Sequence, residues 1–224
     1  MTFSIAARSE DGSLFGIAIA SSSPAVGARC IHVRAGIGAV ATQNITDPAL
    51  GPRILEALAQ GASAQSALDA ALAETQFAAY RQLIAITHAG PPAVHTGTEA
   101  LGVSASAAGA TAAAAGNLLA NSQVPQRMLD AFERTTGQFG VRLLAALLAG
   151  QSQGGESGPI HSAALVIARE LSWPIVDLRV DWDERDPLKA LAHLWDIYAP
   201  QIDDYVKRAL DPAAAPSFGV SADP

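Results

Sequence analysis

The sequence predicts an α+β protein: a four-layer α/β/β/α sandwich in which two antiparallel sheets face each other between helices. Three observations predict it. Strand-like and helix-like segments come in blocks, not in the strict alternation of a parallel sheet. Tight turns join the strands within a block. The helical segments carry apolar stripes along one side, as helices laid on a sheet do. At 224 residues, half of them hydrophobic and 16% charged, the chain can bury one substantial core. Residues 1–211 are expected to form one domain. The Ala/Pro/Ser/Gly segment 212–224 is expected to be a disordered tail.

The elements follow in order. Thr2 to Arg8 reads as a strand, Asp11-Gly12 as a turn, and Leu14 to Ala20 as the returning strand. Ser21, Ser22 and Ser23 then stand beside Thr2. After a turn at Pro24 to Gly27, Arg29 to Ala35 leaves that end and Ile37 to Gln43 returns to it. These reversals predict Thr2, the serine run, Arg29 and Thr42-Gln43-Asn44 at one rim of a single sheet. A helix from Pro48 to Gln60 follows, with Leu50, Ile54, Leu55 and Leu58 on one side and Gly61 as its stop. Ser63 is the N-cap of a second helix, to about Thr75. Gln82 to His88 and Ala93 to Thr96 form a strand pair, and Gly109 to Leu119 a close-packed strand. Val124 to Thr136 and Phe139 to Ala149 are helical. A Gly/Ser/Gln loop, 151–158, precedes strands at His161 to Arg169 and Ile175 to Val180. Asp186-Pro187 opens a last helix reaching about Leu210. Its Trp195 and Tyr198 are the expected anchors of a homo-oligomer, a dimer or higher.

Composition excludes several functions. The net charge is −7 and only two lysines occur, Lys189 and Lys207. Nucleic-acid binding, which neutralises many phosphates, is therefore not expected. No run approaches the length of a membrane span, and Arg8, Glu10 and Asp11 interrupt any secretory signal. A single cysteine, Cys30, rules out an internal disulfide and fits a reducing, cytoplasmic setting. The five histidines lack metal-ligand spacing, so neither metal nor cofactor is expected. Neither a G-x-S-x-G elbow nor a phosphate-binding loop is present.

The chemistry points to the start of the chain. Thr2 is small enough for aminopeptidases to remove Met1 before it. Thr2 would then carry a hydroxyl and a free α-amine of pKa about 7.7–8.0, a nucleophile and its own base. Such a residue needs its amine held, a group supporting the hydroxyl, and donors for an oxyanion. Ser21 and Ser22 are the candidates for the first role, and Arg29, nearer the rim than Arg34, for the second. Gln43, Asn44 and Asn117 are candidates for the third. His95, at a strand end, is a candidate for substrate contact. The expected reaction is cleavage of an amide-type C–N bond in a small polar molecule through an acyl-enzyme. The alternative is a catalytically silent ligand-binding or scaffold protein on the same fold.

Several blocks carry a family resemblance: Met1 to Arg8, Ala25-Val26-Gly27, Gly36 to Gln43, His95-Thr96-Gly97, Gly116 to Ala120, Ser162 to Leu165 and Asp177 to Asp181. In this order they resemble the domain-of-unknown-function family numbered 1028. The resemblance implies an N-terminal nucleophile (Ntn) hydrolase architecture, similar to proteasome subunits, with Thr2 as the nucleophile. Many members have a basic or aromatic pair after the position of Ser21. This chain has Ser22-Ser23-Pro24 there, which leaves Arg29 or a substrate group to supply the charge.

Overall fold

The computed structural model describes residues 2–218. Among the described residues, ten strands form two antiparallel sheets. The first sheet contains β1 (Thr2–Arg8), β2 (Phe15–Ser21), β7 (Ala105–Ala108), β8 (Ala112–Asn117), β9 (Ser162–Ala168) and β10 (Val176–Val180), in the order β10-β9-β2-β1-β8-β7. The second contains β3 (Ile31–Arg34), β4 (Gly38–Asn44), β5 (Arg81–Thr87) and β6 (Ala93–Thr96), in sequential order. Helices α2 (Leu50–Ala59) and α3 (Ala64–Ala73) cover the second sheet. Helices α4 (Val124–Arg134), α5 (Phe139–Ser152) and α6 (Pro187–Tyr198) cover the first. The result is the expected α/β/β/α sandwich.

Side-chain alternation builds the layers. Phe3, Ile5 and Ala7 of β1 point outward and pack with Phe132, Leu143 and Leu147. Ala6 points inward and joins Ile17, Ile19, Ile84 and Ile86 between the sheets. Val40 and Leu83 meet Ile54, Leu58 and Leu68 on the far side. Each large side chain buried in this way stabilises the fold by roughly 1.5–3 kcal/mol. Strands buried on both faces read as continuous apolar runs, as these do. The alanines of β8 suit its place between α4 and β5, where every residue of the strand is buried.

Several local expectations hold. Ser63 caps α3 by accepting from Ser66 N–H at 3.1 Å. Asp186, the last acid of the run Asp181 to Asp186, caps α6 by accepting from Lys189 N–H at 2.9 Å. Other expectations are corrected. The turn at Pro24 to Gly27 leads into a short helix, α1 (Val26–Cys30), so the third strand starts at Ile31 and Arg29 is helical. Helix α1 carries the chain across the sandwich. β3 and β4 therefore belong to the opposite sheet, and Gln43 faces Thr2's sheet instead of extending it. The strand expected from Gly109 starts at Ala112, because Gly109 lies in a tight turn from β7. The last helix is interrupted by a 3-10 turn, Ala199–Gln201, before α7 (Ile202–Leu210); Pro200 cannot donate to a helical carbonyl.

The two aromatic residues expected at an interface serve the chain internally. Trp195 is buried against Gly140 of α5, where any Cβ would overlap its ring. The Tyr198 hydroxyl donates to Ile175 C=O at 3.2 Å. Of the segment expected to be a disordered tail, Pro212–Ala214 form a 3-10 turn and Arg208 lies over the Phe218 ring at 3.9 Å. Residues 219–224 lie outside the described residues.

Gly38 tests how tightly the second sheet is built. It opens β4 between Arg34 and Thr87, and a Cβ there would run into the Ile86 carbonyl oxygen. Backbone cannot rotate away as a side chain can. Gly38→Ala is expected to cost about 1–3 kcal/mol, read as a lower urea midpoint with an unchanged slope.

Candidate active site

Thr2 opens β1, a central strand flanked by β2 and β8. Its side chain shares the inward face with Ser4 and Ala6, so it points into the space between the sheets. The end of β2 places Ser21 on the same face, and Thr2 Oγ1 lies 3.3 Å from Ser21 Oγ. Ser21 Oγ already accepts from Ser23 N–H at 3.0 Å. A hydroxyl keeps one donor and a second lone pair beyond that bond, so either Thr2 or Ser21 can donate in this contact. On the other flank the register pairs Thr2 with Asn117. Directly opposed residues on one face stand about 4.5–5.5 Å apart at Cβ.

Behind Thr2 a buried polar network ties the sheets together. Ser4 Oγ donates to Gln43 Oε1 at 2.7 Å, and Gln43 Nε2 donates to Gln82 Oε1 at 2.7 Å. Asn117 Nδ2 donates to the same Gln82 oxygen at 3.1 Å. Gln82 Nε2 donates to the Gly116 carbonyl at 3.0 Å and to Thr96 Oγ1 at 3.1 Å. A carbonyl can only accept, so Gly116 fixes which way the Gln82 amide points. Gln82 Oε1 then requires NH2 groups from both Gln43 and Asn117. Asn117 Oδ1 is left outside the network, buried and without a hydrogen-bond partner among the described residues. Leaving such an acceptor unpaired costs about 1–3 kcal/mol, which a donor arriving at the site would recover.

Glu156 closes the end of the site. Gly154 (φ 118°) and Gly155 (φ 57°) reverse the chain after α5 and present it. Its carboxylate accepts from Ser22 N–H at 3.1 and 3.2 Å, just past the end of β2. Its own segment joins the end of β8: Ala120 N–H donates to Gly155 C=O and Ser157 N–H to Leu118 C=O. Because β1 lies between β2 and β8, this segment crosses beyond the end that Thr2 begins. Burial pushes the Glu156 carboxyl up to about 7, against the positive start of the chain and the hydrogen bonds from Ser22.

Backbone strain gathers at the same rim. The non-glycine residues with positive φ among those described are Ala25 (52°), Asn44 (71°) and Leu118 (48°). Asn44 ends β4, while Ala25 and Leu118 follow the ends of β2 and β8, at the mouth of the site. Each costs energy that the surrounding contacts must offset, and such residues cluster at functional sites.

The residues expected from the sequence divide into two groups. Thr2, Ser21, Gln43 and Asn117 share the inter-sheet face, Gln43 as a buried support in the network. Ser22 contributes its backbone N–H to Glu156. Arg29 lies on α1 and donates to Pro24 C=O at 2.9 Å. Arg34 sits at the far end of β3, held by Glu56 and by Leu55 C=O. Asn44 Nδ2 donates to Tyr80 C=O at 2.6 Å, while its Oδ1 accepts from Leu101 N–H. His95 pairs with Leu83, on the helix-covered face, and its Nε2 lies 3.1 Å from Ala78 C=O. Ser4, Gln82 and Glu156 are the additions that sequence reasoning missed. Ser4 was findable, two residues from Thr2 on one strand face, and Gln82 as the polar residue heading an apolar strand. No local sequence signal marked Glu156.

The sequence matches a family of unknown function, DUF1028, over residues 2–191. The structure is similar to protein SPO2555 from Silicibacter pomeroyi, with 29% identity and a TM-score of 0.85 over 92% of this chain and 94% of that one. Likeness to Anbu (ancestral beta-subunit) from Yersinia bercovieri is lower, with 11% identity and a TM-score of 0.39 over 91% and 97% of the two chains. An Anbu (Gly-1) mutant from Hyphomicrobium sp. strain MC1 has 14% identity and a TM-score of 0.41 over 92% and 100%. No curated protein matches the sequence. The family match spans most of the chain, and on it this protein belongs to the DUF1028 family.

Proposed function

We propose that Thr2, once Met1 is removed, is the nucleophile of an amidohydrolase that cleaves a C–N amide bond through an acyl-enzyme. The observation that carries this reading is the setting of Thr2: its hydroxyl lies 3.3 Å from Ser21 Oγ, beside the unpartnered Asn117 Oδ1. The neutral α-amine takes the Oγ1 proton and the oxygen attacks the carbonyl carbon. As the C–N bond breaks, the ammonium returns that proton to the leaving nitrogen. Water, activated by the same amine, then hydrolyses the ester, releasing the acid and restoring Thr2. Ser21 donates to the developing alkoxide, the part that a cation would otherwise play. Asn117 Oδ1 accepts an N–H from the mature amine. Glu156 faces the amine across the end of β1. With its carboxyl pushed up to about 7, it is close to half ionised at neutral pH and does not lock the amine in its charged form.

Thr2→Ala is expected to lower amide turnover by about a thousandfold or more. A β-lactone probe should label the wild-type protein on Thr2 and leave the variant unlabelled, with intact mass showing loss of Met1. A protein that keeps Met1 and resists the probe would instead favour the silent, ligand-binding reading.

The Glu156 carboxyl yields a second test. Its folded value lies above the ordinary 4.5. The stability it contributes is therefore complete below about pH 4.5 and is lost as pH rises through about 7. Glu156→Gln keeps the shape and cannot ionise. Between pH 4.5 and 8 the wild type should lose on the order of 3 kcal/mol relative to this variant in urea titrations. Parallel pH profiles would show that the carboxyl is not held in its neutral form.

A further inference from the structure

Five large apolar side chains stand exposed at one flank of the Thr2 site. Ile45, Phe77, Tyr80, Leu101 and Val103 are each 42 to 55% exposed. They come from three separate segments, joined by hydrogen bonds. Asn44 links two of these segments, donating to Tyr80 C=O and accepting from Leu101 N–H. The Arg81 guanidinium donates to Ile45 C=O. The Phe77 and Tyr80 rings meet edge to face at 6.4 Å. Scattered exposed apolar residues are ordinary, but a set drawn together by polar ties is not scattered.

The patch is continuous with the site. Leu118, the residue after Asn117, donates its N–H to Leu101 C=O at 2.8 Å, and Leu119 donates to Val103 C=O at 2.9 Å. Gly102 lies so close to Leu118 that a Cβ would come within 2.6 Å of its side chain. Polar groups at this mouth are committed inside the protein: both amide atoms of Asn44, and the Arg81 guanidinium to Ile45 C=O and toward Asp47 at 4.0 Å. The exposed acid Glu99 stands at the edge, tied by its N–H to Ala79 C=O. This flank therefore offers apolar surface to a neutral group.

We infer that the patch formed by Ile45, Phe77, Tyr80, Leu101 and Val103 binds an uncharged, apolar acyl substituent of the amide substrate. The assignment of the acyl side rests on the proposed role of Thr2. With the leaving amine directed to the Glu156–Ser22 flank, beside β2, the acyl group takes the opposite flank, beside β8.

Binding tests this independently of turnover. Full-length Thr2→Ala protein would be titrated with N-alkanoyl glycinamides from acetyl to hexanoyl by calorimetry. Each added methylene should tighten Kd roughly threefold to fourfold. The double variant Leu101→Asp/Val103→Asp, in the same background and with an unchanged circular dichroism spectrum, should lose that dependence on chain length. Leu101→Met/Val103→Ile should keep it. Affinity that does not change with chain length overturns the inference. So does a change of mass by sedimentation in the Asp variant without loss of chain-length dependence, since the patch would then join copies of the chain. Chain-length-dependent binding together with an unlabelled Thr2 would refute the catalytic reading and, with it, the assignment of the acyl side, leaving only an apolar ligand site at the patch.

Discussion

The bond from Gln82 Nε2 to the Gly116 carbonyl orients everything around it. One backbone acceptor decides the direction of one amide. That amide decides the directions of two more, Gln43 and Asn117, and through Gln43 the donor role of the Ser4 hydroxyl. The cost of a buried mismatch makes the arrangement all-or-none, since reversing any member would set like groups against each other. The same network spans the two sheets, fixing the inner wall of the site and the spacing of the sandwich together. A rigid inner wall holds the Asn117 acceptor in a fixed relation to Thr2.

The layers were legible in the sequence because they rest on local rules. Alternating and continuous apolar runs identified the strands, and capping residues such as Ser63 and Asp186 identified helix starts. The rim was legible as far as chain reversals carry: Thr2 and Ser21 were placed together correctly. The assignment of sheets was not. Nothing in Ala25-Val26-Gly27 states that one helical turn will carry the next strand across the sandwich, because that choice is made by packing α1 against β9. Arg29 was misplaced for this reason. Glu156 was unreadable for another: it acts through a meeting of β2, β8 and the loop after α5, residues more than a hundred positions apart.

The site lies in an acidic protein, and the neighbour of the Thr2 oxygen is a neutral hydroxyl, Ser21, which accepts from Ser23 N–H. Burial raises the nearby Glu156 carboxyl to about 7. The Thr2–Ser21 contact itself is one between neutral dipoles, less sensitive to salt than an ion pair, because screening acts on net charge. The strained backbone at Asn44 and Leu118 is offset by the hydrogen bonds that also build the apolar flank, so the shape of the mouth and its strain share one set of contacts.

The central place of β1 sets an order of events during synthesis. Its first neighbour, β2, leaves the ribosome almost at once, but β8 follows nearly a hundred residues later. At about 5–20 residues per second, that is an interval of roughly 5–20 s in which the second flank of Thr2 is still open. Once β8 pairs and the Glu156 segment crosses the strand end, Thr2 is buried. Removal of the initiator methionine, which the proposed role of Thr2 requires, would thus race against strand pairing, and the late position of β8 in the chain would keep that window open.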